Sequence, residues 1–389
     1  MLTATGHHDD ARPVAAEDVG WLLDRAAAYV HVVGGPSQTT QPLLERALRI
    51  RESIYHPDDL RVAASMHNLG VELAESGDKP ESRPLLQRAL EIRELHYGPD
   101  HPEVAESLSW LGNVLNILGD SVTALRMVDR ALHSHERVLG PNHSGTTATL
   151  VHLGLAHLYV GNPAKAREYC GRALNIRQAV YGPDHPWTAN CLNTVGRALI
   201  DLGDAAAARP LFEQALRIRE STYGPHHYTV ALSLSGLGMA MAQLREFDTA
   251  RALLDRALQI REFADGPDHH FIATACNTFG VVLARSGELD AARSALERAL
   301  HIRESTADHH RFRTVNVLIE LGRVLIESDD TTTARQYLER ALAIADTADP
   351  PEHPSRQLPV TSCRKLLQQI DSTAPPDRPE RAQPFDQDG

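Results

Sequence analysis

A pattern of small residues with a fixed period constrains the fold of this chain more than any other feature. An alanine recurs every 42 residues without a gap, at Ala47, Ala89, Ala131, Ala173, Ala215, Ala257, Ala299 and Ala341. A glycine recurs with the same period, at Gly70, Gly112, Gly154, Gly196, Gly238, Gly280 and Gly322. Self-similarity at a period of roughly 20 to 50 residues indicates a repeat architecture in which each unit packs on the next.

Two helices are predicted in each unit. Met66, Leu69 and Leu73 are three and four residues apart, which places them on one face of a helix. A second apolar stripe of the same kind follows at 86–90, and the Gly-Asp pair at 77–78 separates the two. Glycine ends helices and an acidic residue can start the next one, so each unit is predicted to be helix, turn, helix.

A six-residue segment, YGPDHP, separates the units. It stands at 97–102 and again at 181–186, and looser copies occupy the same place in other units. Gly98 is free to adopt a positive φ at the end of one helix, and Asp100 or His101 can cap the next. The many histidines of these turns are therefore better explained by capping and turn packing than by metal binding.

The small residues are predicted to set the distance between helices. Helices in a regular stack approach closely only where their side chains are small, and a larger residue there costs about 1–3 kcal/mol in overpacking. Each apolar stripe also needs a neighbouring unit to cover it.

The order of apolar residue, glycine and alanine at these offsets resembles the tetratricopeptide repeat. The 42-residue unit, with YGPDHP turns and second helices such as RALRIRE, is similar to the kinesin light chain subfamily, as found in actinobacterial signalling proteins of the NB-ARC kind. The resemblance implies an all-α fold, a right-handed superhelical solenoid of antiparallel helix pairs.

The chain is predicted to divide into four parts. Residues 17–346 form the solenoid of about eight 42-residue repeats, and 347–371 form a C-terminal capping helix. Residues 1–16 and 372–389 are rich in Pro, Asp and polar residues with little to bury, which predicts disordered tails.

Composition excludes several partners and compartments. The net charge of −12 and the pI near 5.9 argue against nucleic-acid binding, which needs clustered Lys and Arg. No run of 18 apolar residues predicts a membrane span. The four cysteines lack paired spacing, which favours reduced thiols and a cytoplasmic protein.

No motif for catalysis or cofactor binding is present. The sequence has no phosphate-binding G-x-x-x-x-G-K-[ST] and no G-x-S-x-G. HERVL at 135–139 starts like a zinc-protease motif, but Leu139 replaces the second histidine. The chain is therefore predicted to be no enzyme and to bind no cofactor or metal.

The resemblance implies a binding groove lined by the first helix of each pair. Transferred by register, the groove positions are Asn113, Asn116, Asn190, Asn193, Arg197, Asn277, Arg285, Asn316 and Arg323. Asparagine can bond both backbone groups of an extended peptide and arginine can grip a carboxylate, which suits an extended, possibly acidic segment. Exposed helices also carry Asn and Arg without any ligand, and Trp110 is either a ligand contact or packed between helices.

Two functions follow from this surface. The first is a non-enzymatic scaffold that binds a peptide or protein segment in the groove. The second is the sensor arm of a bacterial NB-ARC-type signalling ATPase whose NTPase part is on another chain or missing, because GWLLDRAAAYV at 20–30 resembles the junction after such NTPases. The sequence leaves the partner, the pathway and the oligomeric state open.

Overall fold

The computed structural model shows a chain of helices stacked in pairs. It describes residues 11–32, 37–76, 79–267, 269–305, 311–346 and 354–373. These described residues form seventeen α-helices and contain no β-strand. The helices are α1 (Ala11–Val32), α2 (Ser37–Ile54), α3 (Leu60–Ser76), α4 (Lys79–Tyr97), α5 (Pro102–Ile117), α6 (Ser121–Leu139), α7 (Thr146–Tyr159), α8 (Pro163–Tyr181), α9 (Pro186–Asp201), α10 (Ala205–Tyr223), α11 (Tyr228–Gln243), α12 (Phe247–Asp265), α13 (His270–Ser286), α14 (Leu289–Ser305), α15 (Arg311–Glu327), α16 (Thr331–Asp346) and α17 (Pro354–Thr373).

Each odd-numbered helix up to α15 packs on the even-numbered helix that follows it, and each even-numbered helix packs on the next odd-numbered one. The described chain therefore consists of eight helix pairs, from α1–α2 to α15–α16, followed by α17. The predicted all-α solenoid is confirmed.

The recurring small residues lie at the tightest contacts within the pairs. All eight alanines of the 42-residue series are fully buried. A Cβ atom built at Gly112 would lie 2.4 Å from Val128 Cγ2, and one at Gly154 would lie 2.2 Å from Cys170 Sγ. No side chain fits at either position without a shift of the partner helix. The prediction that small residues set the packing distance is confirmed.

The turns between units have the predicted glycine and histidine roles. Gly98 and Gly182 have φ values of +79° and +90°. His101 and His185 are the N-cap residues of α5 and α9, and each imidazole accepts a hydrogen bond from the backbone N–H two residues later. His101 also stacks on Tyr97, with 4.1 Å between the ring centroids. These contacts confirm the capping and packing roles of the turn histidines.

Successive even-numbered helices are joined by arginine–glutamate pairs. Arg130 Nη2 lies 2.7 Å from Glu94 Oε1, and Arg256 Nη2 lies 2.7 Å from Glu220 Oε1. Both pairs are largely exposed to solvent, so each contributes only about 0–1 kcal/mol to stability.

Both ends of the chain differ from the predicted division by a few residues. Helix α1 begins at Ala11, so residues 11–16 are helical where a tail was predicted; this segment is rich in alanine, the strongest helix former. Residues 1–10, 347–353 and 374–389 lie outside the described residues. Helix α17 covers most of the predicted C-terminal part, continues two residues beyond it to Thr373, and packs on α15 and α16. Its capping role stays a prediction.

Candidate binding groove

The odd-numbered helices line the inner side of the stack. Each odd-numbered helix from α5 to α17 contacts the preceding odd-numbered helix as well as its sequence neighbour. Among the described residues, consecutive even-numbered helices lie farther apart and meet through long arginine side chains. Helices lie closer together on the concave side of a curved stack, so the odd-numbered helices face the groove. We call the solvent-facing side of α5, α7, α9, α11, α13 and α15 the groove face.

Three predicted residues lie together on α9. Asn190, Asn193 and Arg197 are three and four residues apart and therefore share one side of the helix. Asn190 and Arg197 are exposed, and Asn193 is half-buried. The guanidinium carbon of Arg197 lies 5.5 Å from the ring centroid of Tyr159 on α7, which is within cation–π range. This contact fixes the direction of the Arg197 side chain along the groove face.

A buried arginine lies beneath these residues. Arg219 on α10 is only 2% exposed. Its Nη2 donates to Asn190 Oδ1 at 2.7 Å, and its Nη1 donates to Ser233 Oγ at 2.6 Å. The Ser233 hydroxyl donates in turn to Asn193 Oδ1 at 3.3 Å. Arg219 thus connects α9 with α11, contacting Asn190 directly and Asn193 through Ser233.

Arg219 keeps its charge without an anionic partner. Burial lowers the pKa of Arg219 to about 10, so the group remains protonated at neutral pH. No carboxylate among the described residues forms an ion pair with it, and its hydrogen-bond acceptors are the neutral groups of Asn190 and Ser233. The floor of the groove at α9–α11 therefore carries an uncompensated positive charge.

This arrangement fixes which way the two asparagines point. Arginine only donates hydrogen bonds, so Asn190 must present its oxygen to Arg219. Asn193 likewise receives the Ser233 hydroxyl on its oxygen. The amide NH₂ groups of Asn190 and Asn193 remain for a ligand, beside the guanidinium of Arg197. The site offers donors and so suits carbonyl or carboxylate oxygens.

A second group of predicted residues lies on α13 and α15. Asn277 is half-buried, and its Oδ1 is a buried atom with no hydrogen-bond partner among the described residues. Arg285 and Arg323 lie near the same carboxylate, that of Glu320, and Arg323 Nε is 3.7 Å from Glu320 Oε1. Burial raises the pKa of Glu320, and the charges of both arginines oppose that rise. Asn316 is exposed on α15.

Asn113 and Asn116 on α5 are placed differently from each other. Asn113 is half-buried on the groove face, but Asn116 is only 2% exposed and is not accessible to a groove ligand. The position of Asn116 is occupied in other units by buried apolar residues, namely Ala74, Leu158, Ile200 and Ala242. Asn116 therefore stands at an apolar packing position, and its assignment to the groove surface is corrected.

The arginines of the second helices form a buried series that sequence reasoning missed. They recur every 42 residues at Arg51, Arg93, Arg177, Arg219, Arg261 and Arg303, with His135 at this position in the third unit and Ala345 in the eighth. All but Arg177 are at most 5% exposed. Arginine is seldom buried, so the sequence alone favours solvent-exposed positions for these side chains. The 42-residue recurrence of these arginines was the available signal that they are buried, because exposed residues need not recur so regularly.

The series changes its charge balance along the chain. Arg51 lies against Asp24 and Glu17, and Arg93 lies 3.5 Å from Glu103 Oε2 and 3.6 Å from Glu106 Oε2. Arg219 lacks such partners among the described residues. The early units therefore neutralise their buried arginine, whereas the middle of the groove leaves it positive.

The described residues contain no group of three or more His, Cys, Asp or Glu side chains that could hold a metal ion. None of the described helices combines the length and apolar character that a bilayer span requires. The four cysteines are unpaired and buried, and burial raises the pKa of the Cys170 thiol to about 12. A thiol with so high a pKa is a poor nucleophile.

Comparisons with solved structures find the same architecture. A Rap protein complexed with competence and sporulation factor is 12% identical with a TM-score of 0.59, covering 93% of this chain and 99% of that one. The APC/C hetero-tetramer Cut9–Hcn1 is 15% identical with a TM-score of 0.57, covering 95% of this chain and 60% of that one. A putative kinesin light chain from Podosopora anserina, with nearly identical TPR-like repeats, is 22% identical with a TM-score of 0.43, covering 54% and 97%. Curated protein sequences gave no significant match.

The fold defines a class of protein: a superhelical repeat protein built from stacked helix pairs. Sequence comparison gives the family. Tetratricopeptide repeat profiles match residues 62–103 and, in overlapping stretches, 103–347. The chain belongs to the tetratricopeptide repeat family, whose fold is a right-handed solenoid that serves as a scaffold for protein interactions.

Proposed function

We propose that this chain is a non-enzymatic scaffold that binds an extended protein segment along the groove face. The segment's backbone carbonyl groups accept hydrogen bonds from the amides of Asn190 and Asn193. An acidic side chain of the segment lies near Arg197. If the chain is instead the sensor arm of an NB-ARC-type signalling ATPase, it would bind its partner on the same surface. The proposed site is therefore the same for the scaffold and for the sensor arm.

One observation carries this proposal: the buried, uncompensated charge of Arg219 under Asn190 and Asn193. An unpaired buried cation costs free energy that a nearby anion recovers. Together with Arg197, Arg219 makes the α9–α11 part of the groove attractive to a carboxylate.

The proposal includes a cytoplasmic location and the absence of catalysis. The four cysteines are free and buried, so no disulfide holds the described residues together. This favours a reducing compartment, where thiols stay reduced. Purified chain is expected to show no turnover that depends on a groove residue. Both statements stay predictions.

The test is affinity capture from native lysate with the intact chain and two variants. The first variant combines Asn193→Ala with Arg197→Ala and removes donors from the groove face. The second, Arg167→Ala, removes an exposed arginine from α8 and is the matched control. Circular dichroism verifies that all three chains have the same helical content.

We expect that the intact chain and the Arg167→Ala variant capture one partner in common. We expect that the Asn193→Ala, Arg197→Ala variant loses this partner. Equal capture by all three chains would move recognition away from α9. Loss with Arg167→Ala alone would place the binding surface on the even-numbered helices instead.

A further inference from the structure

A partly open cavity of about 230 Å³ lies between the N-terminal halves of α5 and α7 and the C-terminal half of α6. Its lining includes Glu103, Glu106, Trp110, His135, Leu139 and Thr149. A water molecule takes about 30 Å³ in the liquid, so the cavity has room for several waters or for the charged end of a long side chain. Its walls combine two carboxylates with an indole ring.

The cavity lies on the groove face. Glu106 on α5 and Ala148 on α7 occupy the same place in their units as Asn190 and Asn316 do in later ones, because 42 residues or a multiple of 42 separate them. The Glu106 side chain is 51% exposed, so its carboxylate is accessible from the groove. A segment lying along the groove face passes this cavity.

The charged groups around the cavity do not balance. Arg93 is the only cation that forms an ion pair with Glu103 and Glu106 among the described residues, at 3.5 and 3.6 Å. His67 lies 3.6 Å from Glu106, but burial lowers its pKa well below the usual value and keeps it neutral. Burial also lowers the pKa of His135. Two carboxylates thus face one guanidinium, which leaves one negative charge.

A cation from a ligand can reach this excess carboxylate, because the side chains of Glu103 and Glu106 are both partly exposed. Partial burial raises the pKa of Glu106, although Arg93 opposes the shift. A second cation placed between Glu106 and Glu103 would remove the imbalance. Trp110 is half-buried beside them and touches His152 edge-on, with 4.7 Å between the ring centroids. Its indole provides a surface on which a planar cation can stack.

We propose that this cavity binds the guanidinium group of an arginine side chain from the segment that occupies the groove face. The inference rests on the proposed function and adds to it a required residue of the partner. Arginine fits better than lysine because its planar, forked donors match two carboxylates and its face stacks on an indole. The partner then carries an arginine at α5–α7 and an acidic residue at α9–α11.

The test uses a small probe that needs no knowledge of the partner. Acetyl-arginine amide is titrated into the ¹⁵N-labelled full chain at low ionic strength, and the indole N–H signals of the three tryptophans are followed by NMR. Trp110→Phe assigns the Trp110 signal. Acetyl-citrulline amide has nearly the same shape without the charge, and acetyl-lysine amide has the charge without the fork.

The arginine probe is expected to shift the Trp110 signal in a saturable way, with a dissociation constant at least fivefold lower than that of either other probe. Glu106→Gln is expected to weaken arginine binding at least fivefold. Glu168→Gln, which removes an exposed carboxylate from α8, serves as the matched control and is expected to bind like the intact chain.

Equal shifts with citrulline, a preference for lysine, or unchanged binding by Glu106→Gln would each overturn the proposal. The Asn193→Ala, Arg197→Ala variant is expected to bind the arginine probe normally, because these residues lie two units away. Failure of the cavity and failure of the groove proposal therefore give different results.

Discussion

At the scale of single residues, this fold depends on the absence of a side chain at the glycines that lie between paired helices. A Cβ atom at Gly154 would meet Cys170 Sγ at 2.2 Å and the Ala166 backbone oxygen at 3.3 Å. Gly171, on the paired helix α8, has nothing within 4 Å of the same built atom. One glycine is required by packing and the other is not.

We expect Gly154→Ala to destabilise the protein by about 1–3 kcal/mol, because α7 and α8 must separate to admit the methyl group. Gly171→Ala is the control, and it should stabilise the chain by about 0.5–1 kcal/mol, since alanine favours helix. Urea denaturation midpoints measure both. A Gly154→Ala midpoint equal to that of the native chain would show that the helix contact adapts freely.

A buried histidine predicts a pH dependence. Burial lowers the pKa of His152 from 6.5 to about 4, although a hydrogen bond with the Ser109 backbone opposes the shift. The folded chain holds this group neutral, whereas the unfolded chain protonates it below pH 6.5. The contribution of His152 to the free energy of unfolding is therefore fully present above pH 6.5. It falls by up to about 3 kcal/mol as the pH falls toward 4.

His152→Gln is expected to flatten the loss of stability between pH 6.5 and 4. His133→Gln changes an exposed histidine on α6 and should leave the slope as it is in the native chain. Urea midpoints at a series of pH values measure the slopes. Identical slopes for His152→Gln and the native chain would mean that His152 is protonated when folded.

At the scale of helices, the sequence predicted most of the fold because the 42-residue period constrains every unit at once. The turn at 97–102 shows this: its glycine, histidine and proline each have one local role, and all three were predictable. Asn116 was misplaced because helical spacing alone cannot tell a groove position from the adjacent packing position. The buried Arg219 was missed because its burial depends on α11, which belongs to the next unit.

Helix α17 (Pro354–Thr373) gives a prediction at this scale. Cys363 is fully buried and Ile370 is 5% exposed, in one core with residues of α15 and α16. A chain ending at residue 346 is expected to unfold at lower urea and to bind a hydrophobic dye, since terminal units need a covered face. A chain ending at 373 is the control and should keep the native midpoint. Equal midpoints for all three chains would remove the capping role.

At the scale of the whole molecule, the groove is a surface whose charge changes along its length. The α5–α7 part carries an excess carboxylate, and the α9–α11 part carries an excess guanidinium. A segment of matching charge order would bind in one direction only, because reversal places like charges together. This order of charges arises from side chains that differ between units of the same fold. The repeat pattern describes only what the units share, so it could not predict the order.

Every proposal for this chain requires that recognition occurs on the odd-numbered helices. Photo-crosslinking in cells tests it most directly, with benzoylphenylalanine placed at Leu232 or at Phe263. Leu232 is 48% exposed on α11, in the register of Asn190, and Phe263 is 87% exposed on α12. We expect a crosslinked partner from position 232 and none from position 263. A partner crosslinked only from position 263 would contradict this expectation.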